Sequence, residues 1–338
     1  MMKILYHITN LPPKMAGTEA SLQEIEALRD HFGGNLVHVN PNENSRLYWP
    51  RLLFGFHKLH SIRAAEGHIQ AHHFYNADPF PFPMLRWLRR PVIYSISSGV
   101  RKNRPNIKFF SRLPAVIASD EVSFNRLARW GLSNVHLVRP GIRIDHFSYT
   151  PAPPPNFTLM MASAPWTRAQ FKGKGIDELL SAVEQNPQLR LILLWRGILA
   201  DEIKRRVNRR GLADRVEIIN QKVEVNAILQ RVHANIALAS HESIVRAYPH
   251  SLIESLAAGK PVITSRAVPM SQFIETTGCG QVIETISTAA ILEAIEQLIQ
   301  NYTARQQAAW LAGQQHFSQQ TVIEQFSQIY RDVIDATA

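Results

Sequence analysis

The chain holds one cysteine in 338 residues, Cys279, so no disulfide can form within it and nothing in it requires an oxidising compartment. Nowhere does an uninterrupted apolar run approach the ~20 residues that span a bilayer, and the opening MMKILYHITNLPPK is broken by His7 and Pro12, too early for a signal-peptide core. A cytoplasmic protein is expected, one that meets any membrane from the side. No repeat of solenoid period occurs, and neither a close D-x-D metal signature nor a P-loop is present, so no metal site is expected. Acidic residues are missing altogether between Asp78 and Asp120.

What is there is ordinary globular material: 45% hydrophobic, 19% charged and 9% aromatic residues, which excludes a disordered or collagenous chain. The length suits two or three domains. Lys plus Arg exceed Asp plus Glu by 37 to 27, a formal charge of +10 that points to an anionic partner: nucleic acid, a nucleotide phosphate or an acidic membrane face.

Apolar runs alternate with amphipathic stretches along the whole chain. Strands are expected at Lys3 to Ile8, Leu36 to Val39, His68 to His72, Pro91 to Ser95, Ala115 to Ser119 and Val135 to Val138, with helices over Glu19 to His31 and Glu121 to Trp130. After the proline-rich segment SYTPAPPPNF the rhythm restarts, with strands at Thr158 to Ala162, Leu189 to Trp195, Arg215 to Ile219, Ala234 to Ala239 and Pro261 to Thr264. Helices over Ile176 to Gln185, Asp201 to Arg210 and Ser251 to Ala258 lie between them, and from about Thr288 the chain reads as helical to its end. The expected class is α/β, two Rossmann-like doubly wound parallel-sheet domains with an interdomain cleft: 1–150, and 151–317, with a C-terminal helix over about 318–338 packing back on the first.

The stretch SHESIVRAYPHSLIESLAAGKPVITS is the most informative. Pro249 suits the first position of a helix, whose free N–H groups and dipole make an anion site, and Glu254 one turn in can reach hydroxyls held there. Phosphate at the helix end with ribose on the carboxylate is one reading; a helix with an ordinary surface glutamate is the other.

RAYPHSLIE followed by SLAAGKPVIT resembles, without a gap, the "E-G-x-P-x-S-L-x-E-A-x-A-x-G-x-P-V" segment of retaining GT-B glycosyltransferases. MKILYHITNL with AGTEASLQEIEAL is similar to that family's first strand and donor loop, VIASDEVSFNRLARWGLSNVHLVRPGIRIDHF to the run before its linker, RAQFKGKGIDELLSAV and GLADRVEII to elements of its second domain, and FSQQTVIEQFSQIY to its closing helix.

The resemblance implies transfer of a hexosyl group from a UDP- or GDP-linked sugar to a glycan or lipid-linked acceptor, with retention, in polysaccharide biosynthesis, with no cofactor required. Arg168 and Lys174 match the pair that grips the donor diphosphate, one residue further apart than usual, with Lys172 as a substitute for Lys174. Cations there would stabilise the charge that gathers on the leaving phosphate. Glu254 matches the ribose-binding glutamate, Gly17 and Thr18 the loop that closes on the phosphate, and His250, Ser251 and Leu252 the opening of the donor helix.

Two positions depart from the pattern. The family's first glutamate, eight positions before the second, is here Arg246, a guanidinium that can pair with a carboxylate but accepts no hydrogen bond. Either the donor sugar is acidic, or Glu242 supplies the acceptor, or the protein is a catalytically impaired relative that binds a sugar nucleotide or a partner enzyme. Near Ser97 many relatives carry a histidine; His72, Asn76, Ser97 and Arg101 are the acceptor-site candidates. His72 and His73 are adjacent on a strand and point to opposite faces, a poor arrangement for one metal.

The acid-free interval carries Arg86, Arg89, Arg90, Arg101, Lys102, Arg104, Lys108 and Arg112, interleaved with Trp87, Phe109 and Phe110. It has no recognition-helix, zinc or RNP-like pattern and suits either anionic lipid head groups or a solvated basic face. Lys204, Arg205, Arg206, Arg209 and Arg210 read as the exposed side of one helix.

Overall fold

A computed structural model describes residues 2–11, 20–43, 45, 47–149, 156–195, 197 and 199–337. They form two compact units, Met1–Gly141 with Gln319–Ala338, and Ile142–Ser318.

Unit 1 is built on six parallel strands: β1 (Ile4–Ile8), β2 (Leu36–His38), β3 (Ala71–Asn76), β4 (Val92–Ile96), β5 (Ala115–Ala118) and β6 (Val135–Leu137), in the order β2-β1-β3-β4-β5-β6. β1, β3, β4 and β5 are buried throughout, as strands covered on both faces must be. Alternate residues serve the two faces: Leu5, Phe74, Tyr94 and Val116 pack on one side, Ile4, Tyr6, Tyr75 and Ile117 on the other. The second face is covered by the helices Ala20–Phe32 and Gln319–Asp335. Val322, Phe326 and Tyr330 of the latter enter this core, and the Tyr330 hydroxyl sits 2.6 Å from His73 Nδ1. Gly34, at φ +104°, turns the chain into β2 so close to β1 that a side chain there would strike the Ile4 carbonyl.

Unit 2 repeats the plan with β7 (Thr158–Met161), β8 (Arg190–Leu194), β9 (Val216–Ile219), β10 (Ala234–Ala237), β11 (Val262–Ser265) and β12 (Gly280–Ile283), all parallel, in the order β12-β11-β10-β7-β8-β9. Leu159, Leu191, Leu193 and Ile236 pack into the larger core, Met160, Ile192 and Leu194 into the opposite one.

Most expected elements are present to within a residue or two, and three differ in instructive ways. β3 starts three residues later than the strand expected at His68 to His72, because Glu66–His68 forms a turn whose Glu66 carboxylate accepts the backbone N–H groups of Arg89 and Arg90. Pro249 precedes the helix His250–Ala257 rather than opening it. The units divide at Gly141, ahead of the proline-rich segment: Ile142 donates its N–H to the Phe317 carbonyl at 2.8 Å and packs among Ala237, Leu252 and Phe317, which draws the residues after it into unit 2. Residues 150–155 of that segment lie outside the described set. No helix among the described residues is long and apolar enough to cross a membrane.

Candidate functional site

In each unit the strand order reverses beside the first strand, and ligands of such sheets bind beyond the carboxyl ends of the strands at that reversal. In unit 2 it falls between β7 and β10. The loop after β7 carries Ser163 and Arg168, then the short helix Ala169–Gly173 and Lys174; the loop after β10 carries Ser240, Glu242 and Arg246 and ends in the helix His250–Ala257. The two loops touch. Ser240 donates its N–H to the Gly173 carbonyl at 2.7 Å, and a Cβ on Gly173 would stand 2.8 Å from Ile244 Cδ1.

Lys174 is 4% exposed, and its ammonium donates to Ser163 Oγ at 2.5 Å. Burial pushes it down to about 8. Among the described residues it has no carboxylate partner. A cation taken out of water and met by a single hydroxyl keeps hydrogen-bonding capacity that an anion could satisfy. Lys172 and Arg168 differ: both are exposed, Lys172 on the short helix and Arg168 immediately before it. The sequence reading put Lys174 in the pair with Lys172 as its substitute, and burial sets the two apart.

The helix His250–Ala257 is aimed by its surroundings. Tyr248 is buried between Phe273 and Phe317, and Met270 donates its N–H to the Ala247 carbonyl, so the loop before the helix is pinned into the core. Asn235 of β10, fully buried, donates from Nδ2 to the Ser251 carbonyl at 2.8 Å and to Ser255 Oγ at 2.9 Å, fastening the first turn to the sheet. With Pro249 offering no N–H, the amides of His250 and Ser251 open the helix ahead of Leu252, the first to bond back to the Pro249 carbonyl. Glu254 is half-buried on the next turn, Leu252 is buried, and Glu242, Arg246 and His250 are half-buried around the loop; Glu242, Arg246, His250 and Glu254 each engage other residues. Ser163 and Asn235 were missed from sequence. A polar residue inside the apolar run ANIALA was the available signal for Asn235; Ser163 left none.

In unit 1 the reversal lies between β1 and β3, where Thr9 follows β1 and Asn76 ends β3. The Thr9 hydroxyl donates to Asn76 Oδ1, and Asn76 Nδ2 donates to Asp78 Oδ1 at 2.7 Å. Arg51 grips Asp78 with two N–H groups, at 3.1 and 2.5 Å, and lies 4.3 Å above the Phe80 ring. Burial would raise Asp78, but the hydrogen bonds and charge of Arg51 outweigh it and hold the carboxyl below its ordinary value. Ser97 joins this group by donating its N–H to the Asn76 carbonyl at 2.9 Å, while Arg101 is exposed on the following loop.

His72 does not join them, which corrects its expected place at an acceptor. It lies near the start of β3 with no exposed surface, between Glu66 Oε1 at 3.1 Å and His7 Nε2 at 2.9 Å, and burial, only partly opposed by Glu66, lowers its pKa. Its role is interior. His73 faces the other way, toward Tyr330 and Ser95. Gly17 and Thr18 lie outside the described residues.

Two parallel six-stranded Rossmann-like sheets in this order are the fold of GT-B glycosyltransferases. The chain matches the crystal structure of HepE from Anabaena in complex with UDP over 97% of its length and 99% of that chain, with a TM-score of 0.73 at 15% identity. It matches sucrose-phosphate synthase from Thermosynechococcus elongatus over 99% and 100%, with a TM-score of 0.76 at 15% identity. Within this fold, residues 166–312, all in the second unit, match the family model described as Glycosyl transferases group 1. A curated relative, the lipopolysaccharide core biosynthesis glycosyltransferase LpsE of Rhizobium meliloti (strain 1021), is 25% identical over 161 residues. That alignment covers 46% of this chain and 46% of the relative, about half the length of each.

Proposed function

We propose that the protein is a retaining hexosyl glycosyltransferase that takes its sugar from a nucleoside diphosphate, with UDP favoured over GDP, and delivers it to a glycan or lipid-linked acceptor in polysaccharide biosynthesis. The observation that carries this reading is the buried Lys174 ammonium at the β7/β10 reversal, bonded among the described residues to Ser163, next to Gly173, which touches the loop leading to the helix His250–Ala257. UDP in the HepE structure and the name of LpsE support the choice of donor and pathway class.

In this reading the diphosphate lies against Lys174, Arg168 and the amides of His250 and Ser251, with Lys172 and Leu252 at its margin, and Glu254 accepts from the ribose hydroxyls. The acceptor oxygen attacks the anomeric carbon on the face from which the phosphate departs; the bond from that carbon to the phosphate oxygen breaks, and the leaving phosphate takes the acceptor's proton. Charge grows on that phosphate as the bond breaks, where fixed N–H donors lower the barrier most. The scheme requires no metal. Asn76, Ser97 and Arg101 are the acceptor-side residues, and the reaction runs on the cytoplasmic side, at a membrane when the acceptor is lipid-linked.

Thermal-shift titration with UDP, GDP and their sugars, repeated on Lys174→Ala and Glu254→Gln, tests the reading. UDP should raise the melting temperature of the parent and neither variant should respond as strongly; an unchanged response in Lys174→Ala sinks it. Arg246 supports a second reading, a relative that binds the nucleotide without transferring sugar. Binding with no donor turnover across the panel selects it. If turnover is seen, Arg246→Glu decides between an acidic sugar held by the guanidinium and a neutral one held by Glu242: an unaltered preference for neutral sugars in the two proteins removes the acidic donor.

A further inference from the structure

The acid-free stretch of unit 1 divides between the two edges of its sheet. Arg101 follows the carboxyl end of β4, on the edge where Asn76 and Ser97 stand. Arg89 and Arg90 precede β4, and Arg112 precedes β5, so these three lie at the amino edge. There they line a cavity of about 380 Å³ together with Leu85, Leu88 and Leu113, and Ile334 and Thr337 at the end of the C-terminal helix form part of its wall. Strands β3, β4 and β5 enter it through Gln70, Pro91 and Pro114, each immediately before its strand.

No acidic residue is among the described lining. Glu66, which accepts the backbone N–H groups of Arg89 and Arg90, is itself 5% exposed, bonded to His72 and absent from the cavity wall. Arg90 Nε donates to the Glu66 carbonyl at 3.1 Å; Arg89 and Arg112 form no ion pair with a described residue. Three guanidinium groups around one concavity repel each other unless an anion enters, and guanidinium is the cation whose planar N–H fork fits phosphate oxygens. Apart from Gln70 and Thr337 the rest of the wall is apolar, and Trp87, next to Leu88 in sequence, is 58% exposed.

We propose that this cavity binds a phosphate ester carried on an apolar body. It is a second anion site, at the opposite edge of the sheet from the strand reversal of unit 1, and it does not depend on the transferase reading. Phosphate sits among Arg89, Arg90 and Arg112, and the apolar body covers Leu85, Leu88 and Leu113. Two sources supply that chemistry, a phospholipid head with its first acyl carbons or a soluble phosphorylated amphiphile.

The full-length protein is titrated calorimetrically with dihexanoyl phosphatidylglycerol below its micellar concentration, with dihexanoyl phosphatidylcholine and with inorganic phosphate. Dihexanoyl phosphatidylglycerol should bind more tightly than either, and R89A/R112A should weaken it about tenfold or more by removing charge-assisted hydrogen bonds. K204A/R209A, which removes two exposed cations from unit 2, should bind as the parent does. Equal loss in K204A/R209A, no binding of dihexanoyl phosphatidylglycerol, equal binding of the phosphatidylcholine, or equal binding of bare phosphate each overturns the proposal. The single Arg112→Gln variant repeats the comparison should the double variant fail to fold. Cosedimentation with phosphatidylcholine vesicles with and without phosphatidylglycerol then separates the sources: loss of vesicle binding in R89A/R112A assigns a lipid, and unchanged vesicle binding beside lost soluble binding assigns a soluble ester.

Discussion

The two strand reversals use the same backbone geometry and opposite electrostatics. At the β7/β10 edge a buried ammonium faces one hydroxyl; at the β1/β3 edge Arg51 and Asp78 satisfy each other, with Asn76 and Thr9 completing a closed hydrogen-bond chain. The first arrangement is costly until an anion arrives. The second is neutral and suits hydroxyl groups better than charge. A doubly wound sheet therefore offers a place for a ligand, and the side chains set at its edge decide which ligand, so the donor diphosphate is expected on unit 2 and a polyhydroxyl acceptor on unit 1.

The largest effect that would break this contrast is on Lys174. Lys174→Ala should lower kcat/KM for sugar transfer by about 10²–10³-fold, the loss typical of removing one donor from a developing oxyanion, while exposed Lys172→Ala should change it by no more than about threefold, since exposed cations contribute little; steady-state kinetics with a UDP-sugar reads both. Equal losses would erase the distinction that burial draws.

The same lysine should separate stability from function. Its folded pKa of about 8 lies below the ordinary value, so between about 8 and that value the unfolded chain holds the extra proton and folding stability rises with pH. At neutral pH the buried charge is a burden, and Lys174→Met should raise the melting temperature of the ligand-free protein while abolishing its response to UDP. The parent's affinity for UDP should fall as pH rises through about 8, where the ammonium is lost. A flat affinity profile from pH 7 to about 9.5 would remove Lys174 from the site.

Asn235→Ala should destabilise the protein by about 1–3 kcal/mol, the range for an orphaned buried hydrogen bond, and weaken UDP binding because the helix start is no longer fastened to β10; chemical denaturation and calorimetry measure the two. The smallest effect belongs to unit 1. Asp78→Asn should cost only about 0.5–1 kcal/mol, since the pair with Arg51 is partly exposed, with UDP binding intact; a large loss of nucleotide affinity would break the assignment of donor and acceptor to separate units.

Much of this architecture was legible because strands buried on both faces leave nearly continuous apolar runs, as ILYHI and VIYSI do with one polar residue each. β3 was harder: its buried polar pair, His72 and His73, hides the apolar signal, and its true start depends on Glu66 capturing two distant amides. The unit boundary depends on Ile142 pairing with Phe317, a contact between residues far apart in sequence. At the site, Lys172 stood in the sequence as a substitute for Lys174, and the packing of the loop around Gly173 and Ser163 sets Lys174 apart.

The helix Gln319–Asp335 fills one face of unit 1 and hydrogen-bonds His73 through Tyr330, yet 177 residues of unit 2 separate it from Gly141. During synthesis at about 5–20 residues per second, unit 1 waits on the order of 10 seconds or more for its last wall. Ile4, Tyr6 and Ile117 lack that cover throughout the interval, while unit 2, continuous in sequence, closes its own cores. Unit 1 is thus the part of the chain that a nascent-chain chaperone would find open, and the part whose native state is gained last.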